Sequence, residues 1–420
     1  MADRSRGRNR SPLPPDTPTP TGSEPFHEAP GSLLWLPAVT RDQAFIDECA
    51  EIRRALQAHA TLASLRTAQG WHALEARIGR VLAALRRHTP NAPPAPPADP
   101  ARVRAVHWNI EHGNRYEQVE RELLTHPRLQ RADIVMLNEV DLGMARSGNR
   151  DVVGDLAAAL GLHGVWAPLL IETTLGRDDD PFMAQGRDNL EGLFGLAILS
   201  RWPIGAVRVV ELPSPEQIQF DLERMYGRHV ALVAVIERPG APFVAVAVHL
   251  EVHRTRMHRA AQMVVLLEAL RHERRPVMLA GDFNSHTFDR GRWWYPMLGT
   301  LVLFLHTDGG LEKRLLYADR GGAHEWLFDG LRDAGFEWER FIERGPTLQL
   351  RFDRLDEARG PLRLLGRPGR SVLAWAERRA RLRLDWFAGR GWRDGRGFTV
   401  PGLDGRGKAS DHAPIAAEFA

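Results

Sequence analysis

The stretch FVAVAVHLEVHRTRMHRAAQMVVLLEALRHERRPVMLAGDFN, residues 243–284, is the most informative about architecture. Its first nine residues alternate one face in and one face out, and read as a strand. Residues 254–272 read as a helix and PVMLAGDFN (276–284) as a second strand. On either side the same alternation of short apolar runs and helical stretches continues. RVRAVHWNI (102–110), ADIVMLNEV (132–140), GLAILSRWPI (195–204) and HVALVAVIE (229–237) read as strands, and PIAAEFA (414–420) as the last one. Residues 116–126 and 150–161 read as helices between them. Some of these strands are apolar on one face and others on both, which predicts mixed sheets with helices outside, an α/β layered domain.

Composition narrows the class. Of 420 residues, 43% are hydrophobic and 26% charged, which excludes a mostly disordered or fibrous chain. Lys+Arg minus Asp+Glu is 56 − 53 = +3, so net charge points to no partner. The lone cysteine, Cys49, excludes both a disulfide scaffold and a cysteine-based structural zinc site. The longest nearly uncharged apolar run, Trp293–Leu305, is 13 residues, short of the roughly 20 that span a bilayer. Residues 1–32 are polar and Pro-rich, with Arg4, Arg6, Arg8 and Arg10 but no apolar signal core, and are expected to be a disordered tail. A soluble, cytoplasmic protein is expected.

Residues 33–88 read as a helical N-terminal extension, with two amphipathic helices broken near Gly70. The second puts Trp71, Leu74, Ile78, Val81, Leu82 and Leu85 on one stripe, which must dock on the following domain or on another subunit. Residues 89–100 (TPNAPPAPPADP) read as a semi-rigid linker, and 101–420 as the main domain.

The polar residues that matter fall at the ends of apolar strands: Asn109, Glu139, His249, and Asp282 with Asn284. Asp385 lies inside RLRLDWF, and Asp411 and His412 precede the last strand. A carboxylate on a buried strand end is costly unless compensated, and a divalent cation is a common compensation. Several carboxylates with amide oxygens make a hard set suited to Mg²⁺ or Mn²⁺. Histidines beside them can supply a base and a phosphate contact. Singly, these signals are weak; GDFN could be a turn and SDH a helix cap.

Their order is specific. HWN (107–109), NEVD (138–141), ILSRWPI (198–204), HLE (249–251), GDFN (281–284), LDWF (384–387) and SDHAPI (410–415) resemble the motifs of the endonuclease/exonuclease/phosphatase superfamily, over about 310 residues. The resemblance implies a four-layer α/β sandwich, two mixed sheets face to face with helices outside. It also implies a divalent-metal-dependent hydrolase of phosphoesters, most of all phosphodiesters. Glu139 would be the principal Mg²⁺ (or Mn²⁺) ligand, with Asn109 and Asp411 in or near its shell. Asp282 and Asn284 would orient or deprotonate water and hold the phosphate, His412 would be positioned by Asp385, and His249 would contact the scissile phosphate. Asn138 stands where the family often has Gln, and Leu196 replaces a polar residue near the site.

Other chemistries are set aside. His249, His253 and His258 lack an HExxH frame, and Ser200 and Ser410 lack a nucleophile elbow. Substrate choice is expected in an insertion at about 286–380. Within it, Trp293 and Trp294 could make a peripheral membrane contact, pack in the core, or stack bases. Residues 340–393 carry 14 Arg against 6 acids, which suits a polyanion or merely solvated faces. The readings in play are a nucleic-acid phosphodiesterase, slightly favoured; a sphingomyelinase-like phospholipid phosphodiesterase; and a binding module keeping the fold without turnover.

Overall fold

The computed structural model describes residues 33–177, 179–290, 302, 305–321, 323–351 and 367–420. Two mixed sheets form its centre. The first runs in the order β1 (Leu33–Trp35), β7 (Ile204–Leu212), β9 (His229–Ile236), β10 (Phe243–His249), β11 (Val277–Asp282) and β14 (Asp385–Arg390). The second runs β15 (Gly395–Thr399), β16 (Ile415–Phe419), β3 (Val103–Asn109), β4 (Ile134–Leu142), β6 (Leu193–Ser200), β5 (His163–Glu172) and β2 (Arg86–His88), with β8 (Met225–Gly227) paired to β5. A two-stranded ribbon, β12 (Leu348–Gln349) and β13 (Arg381–Leu382), stands apart.

Each sheet contains one parallel pair, β3 with β4 and β10 with β11, and every other pairing within the two sheets is antiparallel. A parallel pair needs a crossover, and a helix supplies it in both cases. Counting helices in chain order, α1 (Gln43–Gln57), α2 (Leu62–Arg66) and α3 (Trp71–Leu82) precede α4 (Tyr116–Thr125), which joins β3 to β4. Then come α5 (Val152–Leu160), α6 (Asp180–Met183), α7 (Glu216–Asp221) and α8 (Arg256–Ala269), which joins β10 to β11. Asp42, Thr61 and Thr255 cap α1, α2 and α8 through side-chain oxygens that accept backbone N–H bonds.

Strand alternation sorts the core into layers. Val103, Ala105, Ile134 and Met136 meet Ala245, Ala247, Met278, Ala280 and Phe387 between the sheets. Val106, Trp108, Val135 and Leu137 face α1, α3, α4 and α5 on one outside, and Val244, Val246, Val277 and Leu279 face α8 on the other. This is the four-layer α/β sandwich, helix, sheet, sheet, helix, each layer contact burying apolar side chains.

The N-terminal extension departs from a purely helical reading. It holds three helices, because the chain also breaks at 58–61, and Gly70 takes φ +84° ahead of α3. It also contributes two strands: β1 extends one sheet and β2 the other. Cys49, Ile52, Leu56, Ile78 and Leu82 are buried in the same cluster as Trp108 and Trp166, so the stripe docks within this chain. The Pro-rich stretch lies against the domain, with Arg201 and Arg238 donating to the carbonyls of Ala95 and Pro100.

Candidate functional site

The inter-sheet face of four strands changes from apolar to polar at one end. On β3 the inward sequence Val103, Ala105 continues as His107 and Asn109. On β10, Phe243, Ala245 and Ala247 continue as His249, and on β11, Met278 and Ala280 continue as Asp282. On β14, Asp385 precedes inward Phe387. The parallel registers set Asn109 beside Asn138 and His249 beside Asp282, and β14 sets Asp385 opposite Asp282.

Glu139 arrives by a different device. The β4–β6 register shifts between Leu137 and Val140, and Glu139 takes φ +54°, a bulge in an otherwise regular strand. Asn138 keeps the inward position and donates through Nδ2 to Val248 O of the opposite sheet at 2.8 Å. The bulge turns Glu139 to the strand ends, where Asn109 Nδ2 donates to its Oε1 at 2.9 Å and to Asp282 Oδ2 at 3.3 Å. Asn109 Oδ1 accepts from the N–H of Glu111 at 3.2 Å, which fixes the amide's orientation. The loop carrying Asp411 and His412 is tied to the end of β3: Ser410 Oγ donates to Asn109 O at 2.7 Å and Trp108 Nε1 to His412 O at 2.8 Å.

Asp385 is fully buried and joins two imidazoles: one oxygen lies 2.8 Å from His412 Nδ1, the other 3.0 Å from His107 Nε2. Bonding at Nδ1 leaves His412 Nε2 directed at Asp282 Oδ2, 3.7 Å away. His249 Nε2 lies 3.7 Å from the same oxygen. Asn284 has φ +47°, its N–H donates to Asp282 Oδ1 at 2.8 Å and its Nδ2 to Leu250 O at 2.7 Å. Its amide therefore fixes the Asp282 carboxylate and the end of β10.

The charges are strongly perturbed. Burial, reinforced by the Asp411 and Asp282 charges, pushes the Glu139 carboxyl up to about 8 although its side chain is 20% exposed. Burial opposes charge on His412, but Asp385, Asp282 and Asp411 outweigh it and hold that imidazole well above its usual value. Burial alone would raise Asp385, yet His412 and His107 hold its carboxyl below the usual carboxylate range. His249 goes the other way: burial lowers it despite Asp282. The two imidazoles are thus pushed in opposite directions.

A cation fits this set. Three carboxylates act on one another here, the Asp411 and Asp282 charges both opposing ionisation of Glu139, and the donors are oxygens, the preference of a hard divalent ion. Asp282, Asp385 and His412 offer ligand atoms within 4.8 Å of one another. In that trio both oxygens of Asp385 already bind imidazoles, and Nδ1 of His412 is one of those two contacts. The structure thus brings together Asn109, Glu139, His249, Asp282, Asn284, Asp385, Asp411 and His412. Trp293 and Trp294 lie outside the described residues.

Three partners of these residues were not foreseen from the sequence: His107, His112 and Arg146. His107 belongs to HWN, and its i, i+2 spacing from Asn109 placed it on the same face. His112 Nε2 sits 3.4 Å from Glu139 Oε2. Arg146, buried, grips Asp141 through two bonds of 2.8 and 2.9 Å and Asp180 at 3.0 Å; no local pattern announces that network. A pocket of about 210 Å³ adjoins Glu139, walled by segments 172–194, 219–225 and 249–253. Four of the arginines at 340–393 are engaged within the fold. Arg344 pairs with Asp319, Arg379 with Asp308, and Arg383 and Arg390 donate to backbone carbonyls.

Comparison with known proteins places this geometry. No curated protein matches the chain. Among solved structures it is similar to an endonuclease/exonuclease/phosphatase from Beutenbergia cavernae (17% identity, 76% of this chain and 71% of that one, TM-score 0.45). It is also similar to the 3'-5' exonuclease NExo from Neisseria meningitidis (17%, 76% and 99%, TM-score 0.42) and the human Nocturnin catalytic domain (17%, 77% and 96%, TM-score 0.41). The profile of the Endonuclease/Exonuclease/phosphatase family matches residues 106–412, which run from β3 to His412 and hold every residue of the strand-end cluster. The family and the buried Asp/Asp/His group together support metal-dependent phosphoester chemistry in general, and the chain belongs to the endonuclease/exonuclease/phosphatase family.

Proposed function

We propose that the protein is a Mg²⁺- or Mn²⁺-dependent phosphodiesterase, with nucleic acid as the first substrate to test. The observation that supports it most is the convergence of Glu139, Asp282 and Asp411 with an Asp385-held His412 at the ends of strands from both sheets. Glu139 and Asp411, with Asp282 close by, would hold the cation. When bound, it supplies Lewis-acid neutralisation of the phosphate's non-bridging oxygens.

The chain's own groups divide the remaining work. Asp385 raises the pKa of His412, which favours its charged form as a partner for developing negative charge. Asp282 is then the group that takes the proton of an attacking water, its Oδ1 fixed by the N–H of Asn284. His249, kept neutral by burial, can donate one hydrogen bond to a phosphate oxygen. Asn109 orients both Glu139 and Asp282 through its amide N–H group.

The test is hydrolysis of bis-p-nitrophenyl phosphate and p-nitrophenyl phosphate with Mg²⁺, Mn²⁺ or EDTA. Metal-dependent cleavage of the diester, faster than the monoester, is expected; DNA, RNA and sphingomyelin then rank the natural substrates. Monoester preference would replace the diesterase reading with a phosphatase one. Cleavage that survives EDTA would sink both.

A further inference from the structure

The N-terminal helices reach the site through two of the segments that wall the pocket beside Glu139. One segment, 173–192, joins β5 to β6 with only the four-residue α6 inside it, and carries Arg177 and Asp180 into the lining. The other, 213–225, joins β7 to β8 through the six-residue α7 and carries Gln219 and Glu223. Segments with so little regular structure are costly to hold in one conformation unless something outside fastens them.

A single stretch of the extension, residues 53–62, fastens both. Arg53 of α1 donates to the carbonyls of Asn189 and Leu190, and Gln57 donates to Thr173 O, gripping the first segment at each end. Packing there is close: Gly192 takes φ +72°, and a Cβ on it would collide with Arg53 Cδ. At the other segment, Leu62 N donates to Asp221 Oδ1 at 2.6 Å, and Arg224 donates to Ala60 O at 3.0 Å and His59 O at 2.9 Å. The clamp is itself anchored, since α1 and α3 are in the same core as β3 and β4.

We propose that residues 53–62 are a positioning element for substrate: they hold these two segments of the pocket wall in place, and affinity for the part of the ester that occupies the pocket depends on them. The proposal rests on the phosphodiesterase reading for what fills the pocket, but the clamp itself is testable without turnover. In the full-length chain, Arg53→Ala and Gln57→Ala are compared with wild type and with Arg53→Lys.

Amide exchange in 173–192 and 213–225 should quicken about tenfold or more in Arg53→Ala, recover partly in Arg53→Lys, and stay unchanged in β10. With bis-p-nitrophenyl phosphate, Arg53→Ala should raise KM about tenfold and move kcat much less, as expected for lost binding rather than lost chemistry. Unchanged exchange in both segments, or a fall in kcat at constant KM, would overturn the clamp. Should wild type leave the diester intact, the phosphodiesterase reading fails while the exchange data still judge the clamp. If Arg53→Ala does not fold, Gln57→Ala, which removes one neutral hydrogen bond, carries the same expectations at the Thr173 end.

Discussion

Replacing Asp385 with Asn removes one charge from a site where the surrounding atoms stay in place. The carboxylate has no exposure and accepts from His412 Nδ1 at 2.8 Å and His107 Nε2 at 3.0 Å. Asn offers one carbonyl and one N–H group in the same space, so only one imidazole keeps its acceptor and the other must shift its proton or lose its bond. The lost charge-assisted bond and the mismatched donor should destabilise the fold by about 2–4 kcal/mol. Without Asp385 the largest influence raising His412 is gone and its pKa drops, which weakens its charged form.

A loss of kcat of about 10²–10⁴-fold is expected, with KM changed less. The pH dependence has a definite sign. His412's raised pKa contributes stability that is full below the unfolded imidazole value of about 6.5 and lost as pH rises through the folded one. Asp385's lowered pKa contributes stability present above the unfolded carboxylate value of about 3.9 and lost as pH falls through the folded one. The stability gap between wild type and Asp385→Asn, from urea melts across pH, should therefore be widest between about pH 4 and 6.5. A variant with wild-type kcat, or a gap that widens steadily above neutrality, would refute the assignment of His412 as a cation held by Asp385.

Three other substitutions test separate parts. Glu139→Gln removes a carboxylate whose folded pKa is pushed up to about 8, so ionisation opposes folding as pH rises from about 4.5 to 8. Without metal at pH 8 the variant should be more stable than wild type by about 1–4 kcal/mol, and Mg²⁺ should stabilise wild type and not the variant. Thermal melts with and without Mg²⁺ decide this; equal metal stabilisation of both proteins would contradict it. Arg146→Ala strands Asp141 and Asp180 without their buried partner and should cost about 3–5 kcal/mol in urea unfolding; a cost below 1 kcal/mol would mean the network is not load sharing. His107→Phe leaves Asp385 bonded to His412 alone and should lower kcat by about tenfold, less than loss of Asp385 itself; equal losses would mean His107 and His412 act as one unit.

Much of the architecture was readable because the inner strands are long, apolar and bounded by polar ends. The expected strands at 102–110, 132–140, 243–251 and 276–284 correspond to β3, β4, β10 and β11, and the helix at 254–272 to α8. The polar residues at those ends were legible for the same reason: a strand of period 2 carries Ala245 and Ala247 inward, then His249. Three things were not. Glu139 itself was named, but the bulge that turns it toward the other strand ends exists only once β4 pairs with β6. His107 looked like part of an apolar strand, and its role appears only when Asp385 arrives from the other sheet. The strands β1 and β2 are three residues each, and Arg86–His88 has no apolar alternation to read; its pairing with β5 is decided by tertiary contact.

In the proposed function one cation is held by Glu139 among facing strand ends. The measurement to make is a Mn²⁺ titration of metal-free protein followed by electron paramagnetic resonance, wild type beside Glu139→Gln at pH 8. It should show about one bound Mn²⁺ per wild-type chain, weakened a hundredfold or more by the substitution. Equal binding by the two proteins, or none by wild type, would contradict the site described.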